Sequence, residues 1–164
     1  MVISTRTKFV KQLEDIQGYL DRLTEKAASD IRAAGLAATG DKGAAEGVMA
    51  GRKTEDRLRN AIEENCLDVM LLQQPLIGED LRFVSGAFRI VSDLTHIDSM
   101  TRDIVFLVEE IPAKAAKKLE AEFNEMSECA ARMVEQAGAA SWSPSTSSAS
   151  ATSPSAWPRG RCSA

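Results

Sequence analysis

Asp93, His96 and Asp98 fall within one short stretch of the chain and are the residues best suited by type to hold a metal ion. On a helix, side chains three or four apart share a face, so Asp93 and His96 point the same way and Asp103 falls on the same side. Carboxylates and an imidazole together suit a divalent cation, iron or zinc. A plainer account competes with this one. Asp98 stands four residues before Arg102, the spacing of an exposed helical ion pair worth roughly a few tenths of a kcal/mol. A di-iron bundle site needs two Glu-x-x-His motifs, and a chain with one histidine cannot supply them.

Catalytic chemistry finds no purchase elsewhere. The histidine has no companion G-x-S-x-G sequence, and no G-x-x-x-x-G-K-[ST] loop is present, so neither an activated nucleophile nor nucleotide hydrolysis is supported. No catalytic or cofactor-binding residue is assigned, and the chain reads as a non-enzyme. Cys66, Cys129 and Cys162 are too far apart for a structural zinc site, and an odd number of thiols fits a reducing compartment. Phosphate is not a predicted ligand, because no Gly-rich helix N-terminus and no converging Arg or Lys cluster is visible.

Helices must position these residues. Apolar residues recur at alternating three- and four-residue steps in Phe9, Leu13, Ile16, Leu20, Leu23 and Ala27, with Ile31 and Ala34 continuing the stripe. Thr39-Gly40-Asp41 ends this first helix, near 6–38. A second, near 44–74, is weakened early by Gly43, Gly47 and Gly51. It then carries Leu58, Ile62, Val69, Leu72 and Leu76 on one face, with Cys66 at its flank. Pro75 ends it. The third helix, near 80–111, follows Glu79 and Asp80, which suit the positive end of its dipole. Its stripe is Phe83, Ala87, Ile90, Leu94, Ile97, Thr101, Ile104, Val108 and Ile111, widened by Val84, Phe88 and Val91. Pro112 separates a fourth helix at 113–136, and the scattered methionines fill the core.

The composition agrees. Hydrophobic residues make up 44% of 164 and charged residues 27%, globular values, while 5% aromatics argue against a β-sandwich. The net charge of −4 makes nucleic acid an unsuitable partner. No 18-residue apolar run and no signal peptide appear, so a cytoplasmic protein is expected that meets a membrane only through partners. Residues 137–164 contain no acid and are rich in Ser, Pro and Ala. They read as a disordered tail, with the composition of a changed reading frame or a misplaced gene end.

Residues 61–105 carry a resemblance. Gln73-Gln74-Pro75, Asp80-Leu81-Arg82 and Ser92-Asp93-Leu94 follow the order found in the PhoU family, and the upstream helix, Gly-Asp turn and Cys66 agree over about residues 9–136. The resemblance implies an all-α fold of two three-helix antiparallel units. This chain would hold one unit, 6–111, and the first helix of the next, 113–136, within a domain of 1–136.

What the family implies about sites is more divided. Its acidic metal motif on the third helix corresponds to Thr95-His96-Ile97-Asp98-Ser99, where both expected acids are replaced and Asp93, His96 and Asp98 are the remaining ligand candidates. Arg52 and Arg59 stand where the family usually has acids, whereas Asp56 keeps one. Asp80 and Arg82 match the family's Asp-Leu-Arg as partner-binding candidates. A helix-end role suffices for Asp80, while for Arg82 a surface ion pair and a partner contact stay open, and Pro75 and Asp80 are one residue further apart than usual. The implied function is negative regulation of phosphate uptake and phosphate-starvation signalling. The chain would be a signalling adaptor, as a homodimer, to a phosphate ABC transporter ATPase and a sensor histidine kinase. A metal-binding helical bundle and a truncated remnant without function are the alternatives.

Overall fold

The structure, a computed structural model, describes residues 2–72, 75–108 and 110–142. Its elements are all helical: α1 Val2–Ala38, α2 Lys42–Leu72, α3 Glu79–Val108, the single turn α4 Ala113–Ala116, and α5 Glu120–Trp142. α1 is the central rod. It packs against α2, α3 and α5, and α2 and α3 pack against each other, giving a three-helix antiparallel bundle with α5 laid along the far side of α1.

Local chemistry sets the turns. Gly40 has φ of 104°, a left-handed conformation that ends α1 and lets the amides of Gly40 and Asp41 donate to the carbonyls of Ala37 and Leu36. Asp41 Oδ1 then accepts from the Ala44 amide at 3.1 Å and caps α2. A three-residue link of this kind forces α1 and α2 to lie antiparallel. α2 stops at Leu72, ahead of Pro75, and Gly78 at φ 67° starts α3 with Glu79 and Asp80 in its first turn.

The seams interdigitate in two apolar clusters. The larger joins Ile16, Leu20, Leu23 and Ala27 with Leu58, Ile62, Cys66 and Val69, and with Val84, Ala87, Val91 and Leu94. The smaller joins Ala34 and Ala37 with Val48 and Val105. Each large buried side chain contributes about 1.5–3 kcal/mol relative to exposure, so the first cluster dominates the bundle's stability.

The expected stripes need four corrections. Val84 and Val91 sit on the midline of α3, whereas Ile104 is 48% exposed, because the bundle faces a line rotated towards α2. Cys66 lies at the centre of the core, and Leu72 is 62% exposed at the fraying end of α2. The helix expected over 113–136 is broken at residues 117–119, where Lys118 and Leu119 donate to Ala115 and Ala116 in tight turns. α5 then runs on through Trp142, so residues 137–142 of the expected tail are helical; 143–164 lie outside the described residues.

Candidate functional site: a buried ionic layer

Between the two apolar clusters the same three seams carry charge. On α1 the seam runs Ala27, Asp30, Ala34; on α2 it runs Val48, Glu55, Leu58; on α3 it runs Leu94, Asp98, Val105. Asp30, Glu55 and Asp98 are therefore held at one level of the bundle, each with 5–6% exposure. Buried carboxylates are rare unless compensated, and two cations reach in. Lys26 pairs with Asp30 one turn away and lies 3.1 Å from Glu55 Oε1. Arg102 Nη1 lies 2.6 Å from Glu55 Oε2 and pairs with Asp98. Gly51 makes room for Lys26: an added methyl there would stand 3.0 Å from its Cε and 2.9 Å from Glu55 Oε1.

Three acids face two cations, and the imbalance appears in their protonation. Burial pushes the Asp98 carboxyl up to about 7, and its contact with Glu55 adds to this. Burial, then the Glu55 contact, likewise raises Asp30 to about 6 against the pull of Lys26. Burial opposes the charge of Glu55 as well, but the close approach of Asp98, Asp30 and Lys26 outweighs it and holds Glu55 down at about 2. Physically, Glu55 is the shared anion at the hub, and Asp98 and Asp30 compete to donate a proton to it.

The layer is not fully satisfied. Asp98 Oδ1 is buried without a hydrogen-bond partner, and Glu55 Oε1 is within ion-pair distance of Lys26 without forming a hydrogen bond. Both residues line a cavity of about 210 Å³, ringed by Arg52, Asp56, Arg59, Thr95, Ser99 and Arg102. The structure thus brings together three arginines that the sequence does not mark as converging. The carboxyl groups of Glu55, Asp56 and Asp98 face them around the same cavity, with Arg59 3.3 Å from Asp56.

Asp98 belongs to this layer, and its pair with Arg102 is buried, not the exposed ion pair that the i,i+4 spacing suggests. Asp93 and His96 lie on the exposed side of α3. Among the described residues, the one grouping of three metal-ligand types is Asp30, Glu55 and Asp98, whose ligand oxygens lie within 4.8 Å of one another. Asp80 is half-buried and Arg82 exposed at the start of α3. Thr95 spends its hydroxyl on the Val91 carbonyl at 2.7 Å. Asp30 and Glu55 escape a reading of acidic motifs, but one signal marks them: a lone acid at a position that the three-four repeat reserves for an apolar residue.

A second ionic contact joins α5 to α1. Arg32 donates from Nε to Glu128 and from Nη1 to Glu135, both at 2.7 Å. These groups are solvent-exposed, so the clamp orients α5 more than it stabilises it. Beside it Gly35 lets α5 lie close against α1: an added methyl there would stand 2.6 Å from Ser127 Cβ.

Most of the three-helix bundle falls within a known domain. Residues 20–108 match the family model described as "PhoU domain". The chain is 32% identical over 134 residues to the "Phosphate-specific transport system accessory protein PhoU homolog" of Aquifex aeolicus, covering 79% of this chain and 54% of that protein. It is 29% identical over 119 residues to the protein of the same description from Clostridium acetobutylicum, covering 72% and 51%. The chain spans about half the length of these curated relatives. No solved structure matches it.

Proposed function

The chain belongs to the PhoU family, and on that premise we propose that it is a non-enzymatic regulator of phosphate uptake and phosphate-starvation signalling. The observation that carries the reading is the match over residues 20–108, which takes in the second half of α1, all of α2 and α3, and the whole ionic layer. Regulation here is surface recognition: the layer makes the unit stiff, and its outer faces bind partner domains whose states shift on binding. The partners in this reading are the ATPase of a phosphate ABC transporter and a sensor histidine kinase, met in the cytoplasm by a homodimer. No helix among the described residues is long and apolar enough to cross a membrane.

The α2–α3 end is the docking surface that fits best. Leu71, Leu72 and Ile77 are 69%, 62% and 72% exposed, beside Asp80 and Arg82. Exposed large apolar residues near charged ones are the usual composition of a protein contact. Pull-down of the transporter ATPase and the sensor kinase by this chain tests the reading. Capture of either, lost in Ile77→Asp with Arg82→Glu at unchanged helical content, is the expected result. A folded chain that captures neither partner refutes the regulatory role and leaves a remnant without function.

Asp98 Oδ1, buried without a hydrogen-bond partner beside Glu55 and Asp30, favours a second reading, a metal-binding bundle. Asp30, Glu55 and Asp98 would supply carboxylate oxygens to a hard divalent cation or iron, in the position Lys26 now neutralises. Asp93 and His96 would form a separate exposed site. Elemental analysis of protein purified without added metal decides between them. One ion per chain that is lost in Glu55→Gln supports the interior site, and loss in Asp93→Ala supports the exposed one.

A further inference from the structure

The cavity beside the ionic layer carries the same spacing on two of its walls. Arg52, Glu55, Asp56 and Arg59 follow one another on α2 at steps of three, one and three. Thr95, Asp98, Ser99 and Arg102 repeat those steps on α3. At such spacing each set shares one face of its helix over two turns, so the two faces line a single space of about 210 Å³.

The donors on that lining are largely unspent. A guanidinium carries five N–H donors, no acceptor and a permanent charge. Among the described residues, Arg102 pairs with Glu55 and Asp98 through Nη1 alone, Arg59 reaches Asp56 from Nη2 alone, and Arg52 forms no ion pair. Ser99 adds a hydroxyl. One acceptor is unspent too: Asp98 lines the same cavity, and its Oδ1 is buried without a hydrogen-bond partner.

We propose that this cavity binds one inorganic phosphate ion, with Arg52, Arg59, Arg102 and Ser99 donating to its oxygens and the Asp98 carboxylate accepting from its P–OH. The planar fork of arginine fits phosphate oxygens two at a time, which converging charge alone would not require. The acceptor chooses among oxyanions. Inorganic phosphate keeps a P–OH near neutral pH and can donate it to Asp98. Sulfate has no such proton, and a phosphate monoester, with its second pKa near about 6, has mostly lost it. Either would set a bare oxygen against a carboxylate. Size agrees, since pockets for larger organic ligands run to about 300–1,000 Å³. A space of about 210 Å³ suits a small tetrahedral ion with a few waters and not a nucleotide. The sequence hides the site because its arginines come from two helices and each stands beside acids.

Equilibrium dialysis of the full chain against radiolabelled phosphate, in mildly alkaline chloride buffer, tests the proposal. Phosphate should saturate at one ion per chain, and sulfate and AMP should compete about ten-fold or more weakly than unlabelled phosphate. Arg52→Gln with Arg59→Gln should weaken binding by about ten-fold or more at unchanged helical circular dichroism. Arg57→Gln, on the exposed surface of α2 outside the cavity, should leave it unchanged. Asp98→Asn gains a donor and should bring sulfate up towards phosphate. A folded chain that retains no phosphate overturns the proposal, as does sulfate or AMP competing on equal terms. Binding unmoved by the Arg52 and Arg59 pair overturns it too, and so does binding abolished by a chelator, which would put the ion on a bound metal. The proposal goes beyond the regulatory reading and fails separately from it: phosphate binding stands whether or not the chain captures an ATPase or a kinase.

Discussion

Glu55 is the acid on which the ionic layer turns, since Lys26, Arg102 and the two aspartates all converge on it. Removing one member of a buried ionic set strands the rest in a low dielectric, so Glu55→Ala is expected to lower stability by about 3–5 kcal/mol, read as a fall in the urea midpoint. Asp98 carries the pH dependence. Its folded-state pKa near 7 lies above the ordinary 3.8, so between those values the native protein holds a proton the unfolded chain has released. Raising the pH through this window erodes stability, and Asp30, raised to about 6, acts in the same direction. Glu55 works oppositely, giving stability that is lost only as pH falls towards about 2. Unfolding by urea across about pH 5 to 8 should therefore show declining stability in the unmodified chain, and Asp98→Asn should flatten the decline. Asp98 is visible in the sequence as an acid. Its burial is not, because i,i+4 pairing with Arg102 looks the same on an exposed face, and the partners on α1 and α2 lie tens of residues away.

At the level of the elements, the first helix is the most legible. Its seam from Ile16 to Ala27 forms the core as the spacing predicts, and Gly40 and Asp41 end one helix and cap the next. Three glycines near the start of α2 lower its intrinsic propensity, yet the helix continues through them because α1 packs against it. The break between α4 and α5 is not legible. Lys117, Lys118 and Leu119 include no helix breaker, and the bend follows from tertiary packing: Ala116 is tucked in at 5% exposure while α5 turns to follow α1. Gly35 is what brings those two rods together. Gly35→Ala forces a methyl against Ser127 and is expected to cost about 1–3 kcal/mol. Hydrogen exchange should show this as faster exchange across α5, with the amides of α2 and α3 little changed.

For the molecule as a whole, the order of Gln-Pro, Asp-Leu-Arg and the acidic third helix is enough to indicate the family, and the match over residues 20–108 shows it. That level is legible because landmarks in a fixed order survive changes that erase individual ligands such as those replaced by Thr95 and Ser99. How α5 is partnered is not legible, since an apolar stripe looks the same whether it faces its own chain or another.

Cys66 gives the bundle its own clock. Its thiol is fully enclosed, and burial with the nearby Glu63 charge pushes it up to about 11, so in the closed bundle it is both inaccessible and protonated. Since the thiolate is the species that reacts, alkylation must wait for the helices to part. In a Cys129→Ala, Cys162→Ala background the rate of thiol capture should therefore count openings of the three-helix core directly. It should be slow in the unmodified layer, markedly faster with Glu55→Ala, and unmoved by Gly35→Ala, which loosens only the outer rod.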